Sequence, residues 1–163
     1  MAKLGYHRTR RATRWQASAL APVRDTRTTQ GSQLIEPKQL AAAAAHLADR
    51  KKGADIRVYD VSDQIKVADY FVVISGTSRP HVKALYEDIH VSLKALGERH
   101  SKAEGADLGW WVLLDYVDVI IHILQPEARE YYDLDALYRD CPLLDLKQVA
   151  LPEGIDSQLR MAE

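Results

Sequence analysis

The sequence predicts an α/β protein in which one mixed sheet of about five strands is covered by helices. Apolar residues recur every three or four positions in two long segments, which is the period of a helix. In shorter segments they alternate with polar residues or run without interruption, and both patterns indicate strands. Taken in chain order, these segments read αββαβββα, which fits a single sheet of mixed strand direction.

The first three elements are predicted from residues 35–75. A helix begins near Ile35, where Pro37 suits the first turn, and Gly53 ends it. Residues 55–60 alternate, with Ile56 and Val58 turned away from the polar side chains and Tyr59, and they form a strand with one exposed face. Residues 69–75 are apolar almost throughout, so we expect them to form a central strand covered on both faces.

A second helix follows the segment Gly76-Thr77-Ser78. Thr77 or Ser78 can cap its first turn, and Pro80 is compatible with that turn. Gly97 ends the helix. The apolar stripe expected to face the core consists of Val82, Leu85, Ile89, Leu93 and Leu96.

Residues 105–124 predict a hairpin that carries an unusual set of side chains. Two apolar runs flank Asp115 and Asp118, and a histidine, His122, lies in the second run. Alternation along the first run gives two apolar sets on opposite faces: Trp111, Leu113 and Asp115, and Trp110, Val112, Leu114 and Tyr116. Either both faces are covered or one awaits a partner. The tryptophans are therefore core residues or anchors of a docking surface.

Composition divides the chain into an arm, a domain and a tail. Residues 1–34 hold seven basic residues and one acidic residue, a net charge of +6, whereas the remainder holds 15 basic and 22 acidic residues, a net charge of −7. We expect a disordered basic arm at 1–34, the α/β domain at 35–141 and a weakly structured tail at 142–163. The arm is a nucleic-acid contact, a solvated extension or an organellar transit peptide.

Composition also limits the chemistry. The chain has one cysteine, Cys141, and six scattered histidines, so no spacing typical of a zinc site occurs and no metal or cofactor is expected. No apolar run is long enough for a membrane span. Following residues 126–138, which predict a last helix, nothing in the sequence indicates a further regular element.

An enzymatic alternative remains open at this stage. Asp115 and Asp118 could bind a metal ion, and Gly76-Thr77-Ser78 could hold a phosphate at a helix N-terminus, a combination found in nucleotidyltransferases. In those enzymes the two carboxylates are normally two residues apart and leave the same face of a strand. Here the spacing is three residues across a predicted turn. His122 could be a general base, although a histidine in an apolar strand is more often held by a hydrogen bond.

The chain contains one set of residues whose joint spacing is informative: Asp69, Tyr70, Gly76, Thr77, Ser78, His81, Gly105, Trp111, Asp115, Asp118, His122, Arg129 and Tyr132. Through these residues the segment 35–146 resembles the RsfS/Iojap ribosomal silencing factors. The joint spacing of the motifs is specific, whereas each motif alone is common. Four positions depart from the family pattern: Val117 stands where the family usually has Gly, Pro80 where Arg is frequent, and Asp135 and Tyr138 where Glu and Trp are frequent.

The resemblance implies a binding protein without catalytic activity, on a fold distantly related to nucleotidyltransferases. Family members dock on the large ribosomal subunit, on universal large-subunit protein fourteen, and block subunit joining when nutrients are short. The resemblance also implies a cytoplasmic protein and a homodimer when free, with an organellar matrix as the alternative if the arm is a transit peptide. The ribosome-binding residues expected here are Trp111, Leu113, Asp115, Asp118 and Glu104. The basic arm is a candidate contact with ribosomal RNA.

Overall fold

The computed structural model describes residues 35–100 and 102–160 of the chain. The predicted order αββαβββα is confirmed for the elements up to residue 132, and two further helices follow. The helices are α1 (Pro37–Arg50), α2 (Arg79–Ala95), α3 (Pro126–Tyr132), α4 (Leu134–Leu137) and α5 (Ile155–Arg160), with a 3₁₀ turn at Leu146–Gln148. The strands are β1 (Ala54–Asp60), β2 (Tyr70–Ser75), β3 (Lys102–Glu104), β4 (Trp111–Asp115) and β5 (Val119–Leu124).

The five strands form one mixed sheet in the order β1-β2-β5-β4-β3. Strands β2 and β5 pair in parallel at the centre, and the other three neighbouring pairs are antiparallel. The central position expected for β2 is confirmed, because the strand lies between β1 and β5 and five of its six residues are buried. None of the helices in the described residues is long and apolar enough to cross a bilayer.

One face of the sheet is covered by α1 and α2. The predicted stripe of α2 is confirmed: Val82, Leu85, Ile89 and Leu93 are fully buried. Ser78 is the cap, and its hydroxyl accepts a hydrogen bond of 3.2 Å from the backbone N–H of His81. Helix α1 buries far more than one stripe, because Ala41–Ala45 are all inaccessible and their small side chains allow close packing with the sheet and α2.

The other face is covered by α3, α4 and the segment that follows them. The alternation predicted for β4 is confirmed, since Val112 and Leu114 pack with α1 and α2 whereas Leu113 packs on the opposite side. Both faces of the hairpin are therefore covered, at least in part. The expectation that Tyr59 points to solvent from a one-sided strand is wrong, because residues 138–141 cover this face of β1 and bury the ring.

The predicted last helix is interrupted at one residue. Asp133 adopts a left-handed backbone conformation with φ of +49°, which ends α3. Its side chain then accepts a hydrogen bond from the N–H of Ala136 and so caps α4. Tyr138 comes directly after α4, and its ring packs edge-on against the ring of Phe71 with 5.0 Å between centroids.

Residues 143–160 have more structure than the weak tail that we expected. The N–H of Leu144 donates to the carbonyl of Val58 at 2.8 Å, so this segment lies along the outer edge of β1. In α5, Ile155 is fully buried in the core. Arg50 donates to the carbonyl of Gln158 and forms an ion pair of 2.6 Å with Asp88, which joins α1, α2 and α5. The sequence does not predict this packing, because a helix of only six residues is too short to show a clear helical period of apolar residues. The arm at 1–34 lies outside the described residues.

Candidate functional site

Trp111 lies on the β4–β5 hairpin in contact with aromatic rings from two other elements. Its indole is half-buried, and it packs against the ring of Tyr132 on α3 with 4.6 Å between centroids. The indole Nε1–H donates a hydrogen bond of 3.2 Å to Nδ1 of His122 on the neighbouring strand. Trp111 is thus held in one orientation by a hydrogen bond and a ring contact, while part of its surface stays accessible.

His122 is a buried support for this tryptophan. Its ring is fully buried and meets Phe71 edge-on at 4.8 Å between centroids. Because Nδ1 accepts the hydrogen bond from Trp111, we assign the proton of the neutral ring to Nε2. Burial lowers the pKa of His122 to about 3, so the ring is neutral at physiological pH. A ring enclosed in this way cannot reach a substrate, and the general-base interpretation of His122 loses its support.

Glu104 and Asp115 lie beside the tryptophan on the same side of the sheet. In the β3–β4 ladder Glu104 is opposite Leu113 and Lys102 is opposite Asp115, so these side chains share the face of Trp111. Lys102 forms an ion pair with Glu104. Four of the five predicted ribosome-binding residues are therefore brought together. We call Trp111, Leu113, Asp115 and Glu104 the aromatic face.

Asp118, the fifth predicted residue, lies at the end of the sheet in the β4–β5 turn. Its carbonyl accepts hydrogen bonds from the N–H groups of Asp69, at 2.7 Å, and Tyr70, at 3.1 Å. Asp115 also stabilises this turn, because its Oδ1 accepts a hydrogen bond of 2.8 Å from the backbone N–H of Val117. The motif residues Asp69 and Tyr70 thus connect β2 to the hairpin through backbone contacts.

Val117 occupies the corner of this hairpin in a conformation that suits glycine. Its φ is +74°, and the N–H of Asp118 donates to the carbonyl of Tyr116 at 3.0 Å across it. A β-branched residue with positive φ is strained, since Cβ approaches the backbone. Valine at this position therefore costs stability relative to glycine.

Two motif glycines are required by close approach of the backbone. Gly105 has a φ of +79°, and a Cβ there would overlap the carbonyl oxygen of Trp111. At Gly76 a Cβ would lie 2.7 Å from a methyl group of Val82 at the start of α2. Both positions accept only glycine for steric reasons, and Gly105 shapes the loop that leads into the aromatic face.

Arg129 holds α3 against the sheet. Arg129 is 7% exposed, and its guanidinium donates to the carbonyl of Asp55 at 2.5 Å and to the hydroxyl of Ser75 at 2.9 Å. It also forms two hydrogen bonds with the carboxylate of Asp135, at 2.9 and 3.1 Å. Tyr132, three residues further along, is thereby positioned against Trp111. Arg129 therefore supports the face indirectly.

The carboxylate of Asp135 completes this network, and sequence reasoning missed its role. The Tyr59 hydroxyl donates to it at 2.6 Å. Burial acts to raise the pKa of Asp135, but the hydrogen bonds from Arg129 and Tyr59 and the charges of Arg129 and Arg57 outweigh it and lower this pKa. Burial, together with the hydrogen bond to Asp135, raises the pKa of Tyr59. An Asp six residues after a motif Arg was the available signal.

The residues of the enzymatic alternative do not come together. Gly76-Thr77-Ser78 follows the carboxyl end of β2, whereas Asp115 and Asp118 lie at the end where β2 begins. A six-residue strand separates the two groups by roughly 15–20 Å. The N–H of Thr77 already donates to Nδ1 of His81 at 2.9 Å. Within residues 35–100 and 102–160, no three His, Cys, Asp or Glu side chains are placed to hold a metal ion.

The fold and this face together define a class of protein: a small α/β domain that presents a supported, partly exposed aromatic face for binding. The chain belongs to the RsfS family, described as ribosomal silencing factor during starvation, whose model matches residues 34–161.

Relatives share most of the described domain. The ribosomal silencing factor RsfS of Bacillus subtilis is 37% identical over 112 residues, which cover 69% of this chain and 95% of that protein. The mouse protein named mitochondrial assembly of ribosomal large subunit protein 1 is 32% identical over 64% of this chain and 49% of its own length. A crystal structure of a Chromobacterium violaceum protein matches with a TM-score of 0.63 and 34% identity, covering 64% of this chain and 88% of that one.

Proposed function

We propose that this protein is a ribosomal silencing factor that binds the large ribosomal subunit at its intersubunit face and represses translation by blocking subunit joining. Its partner on the subunit is universal large-subunit protein fourteen. The observation that carries the proposal is the aromatic face, because its central side chain is both accessible and fixed in place. Membership of the RsfS family supports the assignment to the ribosome.

The construction of the face favours binding over catalysis. Trp111 is oriented by His122 and Tyr132 before any partner arrives, so docking loses little side-chain entropy. Tryptophan in such a setting is typical of interface hot spots. Glu104 and Asp115, with Lys102 between them in the ladder, add a charged rim with a net charge of −1 at one side. A rim of this kind orients the approach of a basic ribosomal protein.

Charge supports the same partner class over the whole domain. Residues 35–163 carry a net charge of −7, which is complementary to the positive surface of a protein that binds ribosomal RNA. Silencing then needs no chemical step, because a domain bound at the interface between subunits excludes the small subunit by its volume. A metal-dependent nucleotidyltransferase is disfavoured because its two candidate groups lie at opposite ends of β2.

The test is co-sedimentation of the full chain with purified large subunits. Trp111→Ala should weaken binding by about 30-fold or more, since a tryptophan hot spot contributes roughly 2 kcal/mol or more. Trp110→Ala is the matched control: Trp110 precedes β4, is 38% exposed and has the opposite strand parity, so its loss should leave binding unchanged. Thermal unfolding of both variants checks that they are folded. Equal sedimentation of wild type and a folded Trp111→Ala variant contradicts the docking surface.

We further propose that the protein acts in the cytoplasm, as expected for a bacterial silencing factor, with an organellar matrix as the alternative. The arm is tested separately. If its seven basic residues contact ribosomal RNA, binding should depend steeply on salt, and deletion of residues 1–34 should flatten that dependence. An unchanged salt slope after the deletion assigns the affinity to the domain alone.

A further inference from the structure

Three aromatic rings continue the surface around Trp111 onto α3. The ring of Tyr132 packs against the indole of Trp111 with 4.6 Å between centroids and an angle of 46° between the planes. Tyr131, the neighbouring residue of α3, contacts Tyr132 edge-on, at 4.9 Å and 85°. All three residues are half-buried, so part of each remains accessible to a partner. We call Trp111, Tyr131 and Tyr132 the ring cluster.

The elements that supply the ring cluster also supply acidic side chains. Two carboxylates come from strands β3 and β4 and two from α3, and at least part of each residue is accessible: Glu104, Asp115, Glu127 and Glu130. Lys102 is the exposed cation beside the first two. Arg129 of α3 adds no accessible positive charge, because it is buried and paired with Asp135. The accessible charge around the rings is therefore negative.

Rings and carboxylates together favour a cation over an apolar side chain as the group that packs on this surface. The face of an aromatic ring carries a partial negative charge, which attracts a cation within about 6 Å of the ring centre. An apolar side chain would displace water from Glu104 and Asp115 without compensating their charge, which is unfavourable. A cation is attracted by the rings and by the carboxylates, and the attraction strengthens as binding excludes water.

We propose that the ring cluster receives a cationic side chain of the ribosomal partner, and that this side chain is an arginine. A guanidinium is planar and weakly hydrated, so it stacks on an indole while its N–H groups donate to neighbouring carboxylates. Glu104 and Asp115, on the same face of the sheet as Trp111, supply those acceptors. Since it concerns the docking surface, the proposal rests on the proposed function. It assigns the specificity of docking to one arginine on the surface of the partner.

Fluorinated tryptophan at position 111 tests the charge while it keeps the shape of the ring nearly unchanged. Each added fluorine withdraws electron density from the ring face, so it weakens the attraction for a cation and makes the ring more apolar. Mono-, di-, tri- and tetrafluorotryptophan are introduced at this position of the full chain by codon suppression, and binding to purified large subunits is measured by co-sedimentation. The affinity should fall stepwise along the series, by about tenfold in total for the tetrafluoro form.

The same series at position 110 is the matched control. Trp110 is exposed and has the opposite strand parity, so its fluorination should leave the affinity unchanged. Thermal unfolding of each labelled chain checks that the fold is intact. If Trp111→Ala weakens binding but the series at position 111 leaves the affinity constant or raises it, docking stands and the cation is overturned.

A peptide probe tests the cation separately, so that it can be judged even if Trp111→Ala binds large subunits like wild type and the docking surface is wrong. The probe is the acetylated and amidated tripeptide Gly-Arg-Gly, and its control carries citrulline, a neutral analogue of arginine with a similar shape. The arginine peptide should shift the indole N–H resonance of Trp111 in a heteronuclear NMR titration, and the citrulline peptide should shift it several-fold less. Equal shifts, or no shift with either peptide, overturn the cation site. An equal response to a lysine peptide overturns the assignment to arginine.

Discussion

Replacing Arg129 with methionine removes the central donor of the network that joins α3 to the sheet. Methionine keeps an unbranched apolar stem but is shorter and loses the hydrogen bonds to Asp135, Asp55 and Ser75. The carboxylate of Asp135 then loses its closest cationic partner and keeps the Tyr59 hydroxyl and Arg57, which lies 3.8 Å away. Breaking one side of a buried ion pair costs about 3–5 kcal/mol, and these two remaining contacts place the expected loss at the lower end of that range. That is a large part of the roughly 5–15 kcal/mol that stabilises a domain.

The pH dependence of this loss has a defined sign. The network lowers the pKa of Asp135 in the folded protein from its ordinary value of 3.8. The stability that results is present above that value and is lost as the pH falls through the lower folded pKa. Without Arg129, the hydrogen bond from Tyr59 and the charge of Arg57 remain to oppose the effect of burial, so this pKa is lowered less. The stability difference between wild type and Arg129→Met should therefore be largest at neutral pH and should narrow below about pH 4.

Urea unfolding followed by circular dichroism measures both effects. Arg139→Met, at an exposed arginine in the segment after α4, is the matched control and should change stability by no more than about 0.5 kcal/mol. Adding Asp135→Asn to Arg129→Met removes a carboxylate charge that has lost its closest partner, and it should recover part of the loss. A cost below about 1 kcal/mol for Arg129→Met, or a difference that grows as the pH falls from 7 to 3, would refute the reasoning.

Three further predictions concern the hairpin, the second helix and the buried histidine. Val117→Gly should raise the free energy of unfolding by about 0.5–1 kcal/mol, because relief of the strain at φ +74° exceeds the entropy that glycine loses on folding. Val117→Ala keeps Cβ and should gain less. A lower melting temperature for Val117→Gly than for wild type would contradict the assignment of strain to this residue. Ser78→Ala should cost about 1 kcal/mol and Ser78→Gly only a few tenths in chemical unfolding, and equal losses would exclude a capping role for the hydroxyl. Burial lowers the pKa of His122 from 6.5 to about 3, so the free energy of unfolding should fall as the pH falls from 6.5 towards 3, by at most about 1.4 kcal/mol per pH unit. His122→Phe should flatten this dependence of stability on pH. An unchanged dependence would show that the ring of His122 stays accessible in the folded protein.

The sequence determined the elements whose signals are local. The stripe of α2, the cap at Ser78 and the two-sided alternation of β4 are all readable within one or two turns or strands, because backbone geometry repeats with a fixed period. The same alternation correctly placed Trp111, Leu113 and Asp115 on one face. The motif spacing indicated the family, which the match over residues 34–161 shows.

Tertiary structure decided what depends on partners distant in sequence. Arg129 reaches a carbonyl 74 residues earlier and a hydroxyl 54 residues earlier, and no local pattern predicts that register. The burial of Tyr59 and the packing of α5 likewise depend on segments that return to the sheet late in the chain. Sheet order also separated Gly76-Thr77-Ser78 from Asp115 and Asp118, since strand direction fixes which end of the sheet each loop occupies. Residue types and periods are local properties, whereas the juxtaposition of loops and the exposure of an edge such as β3 arise only when the strands pair.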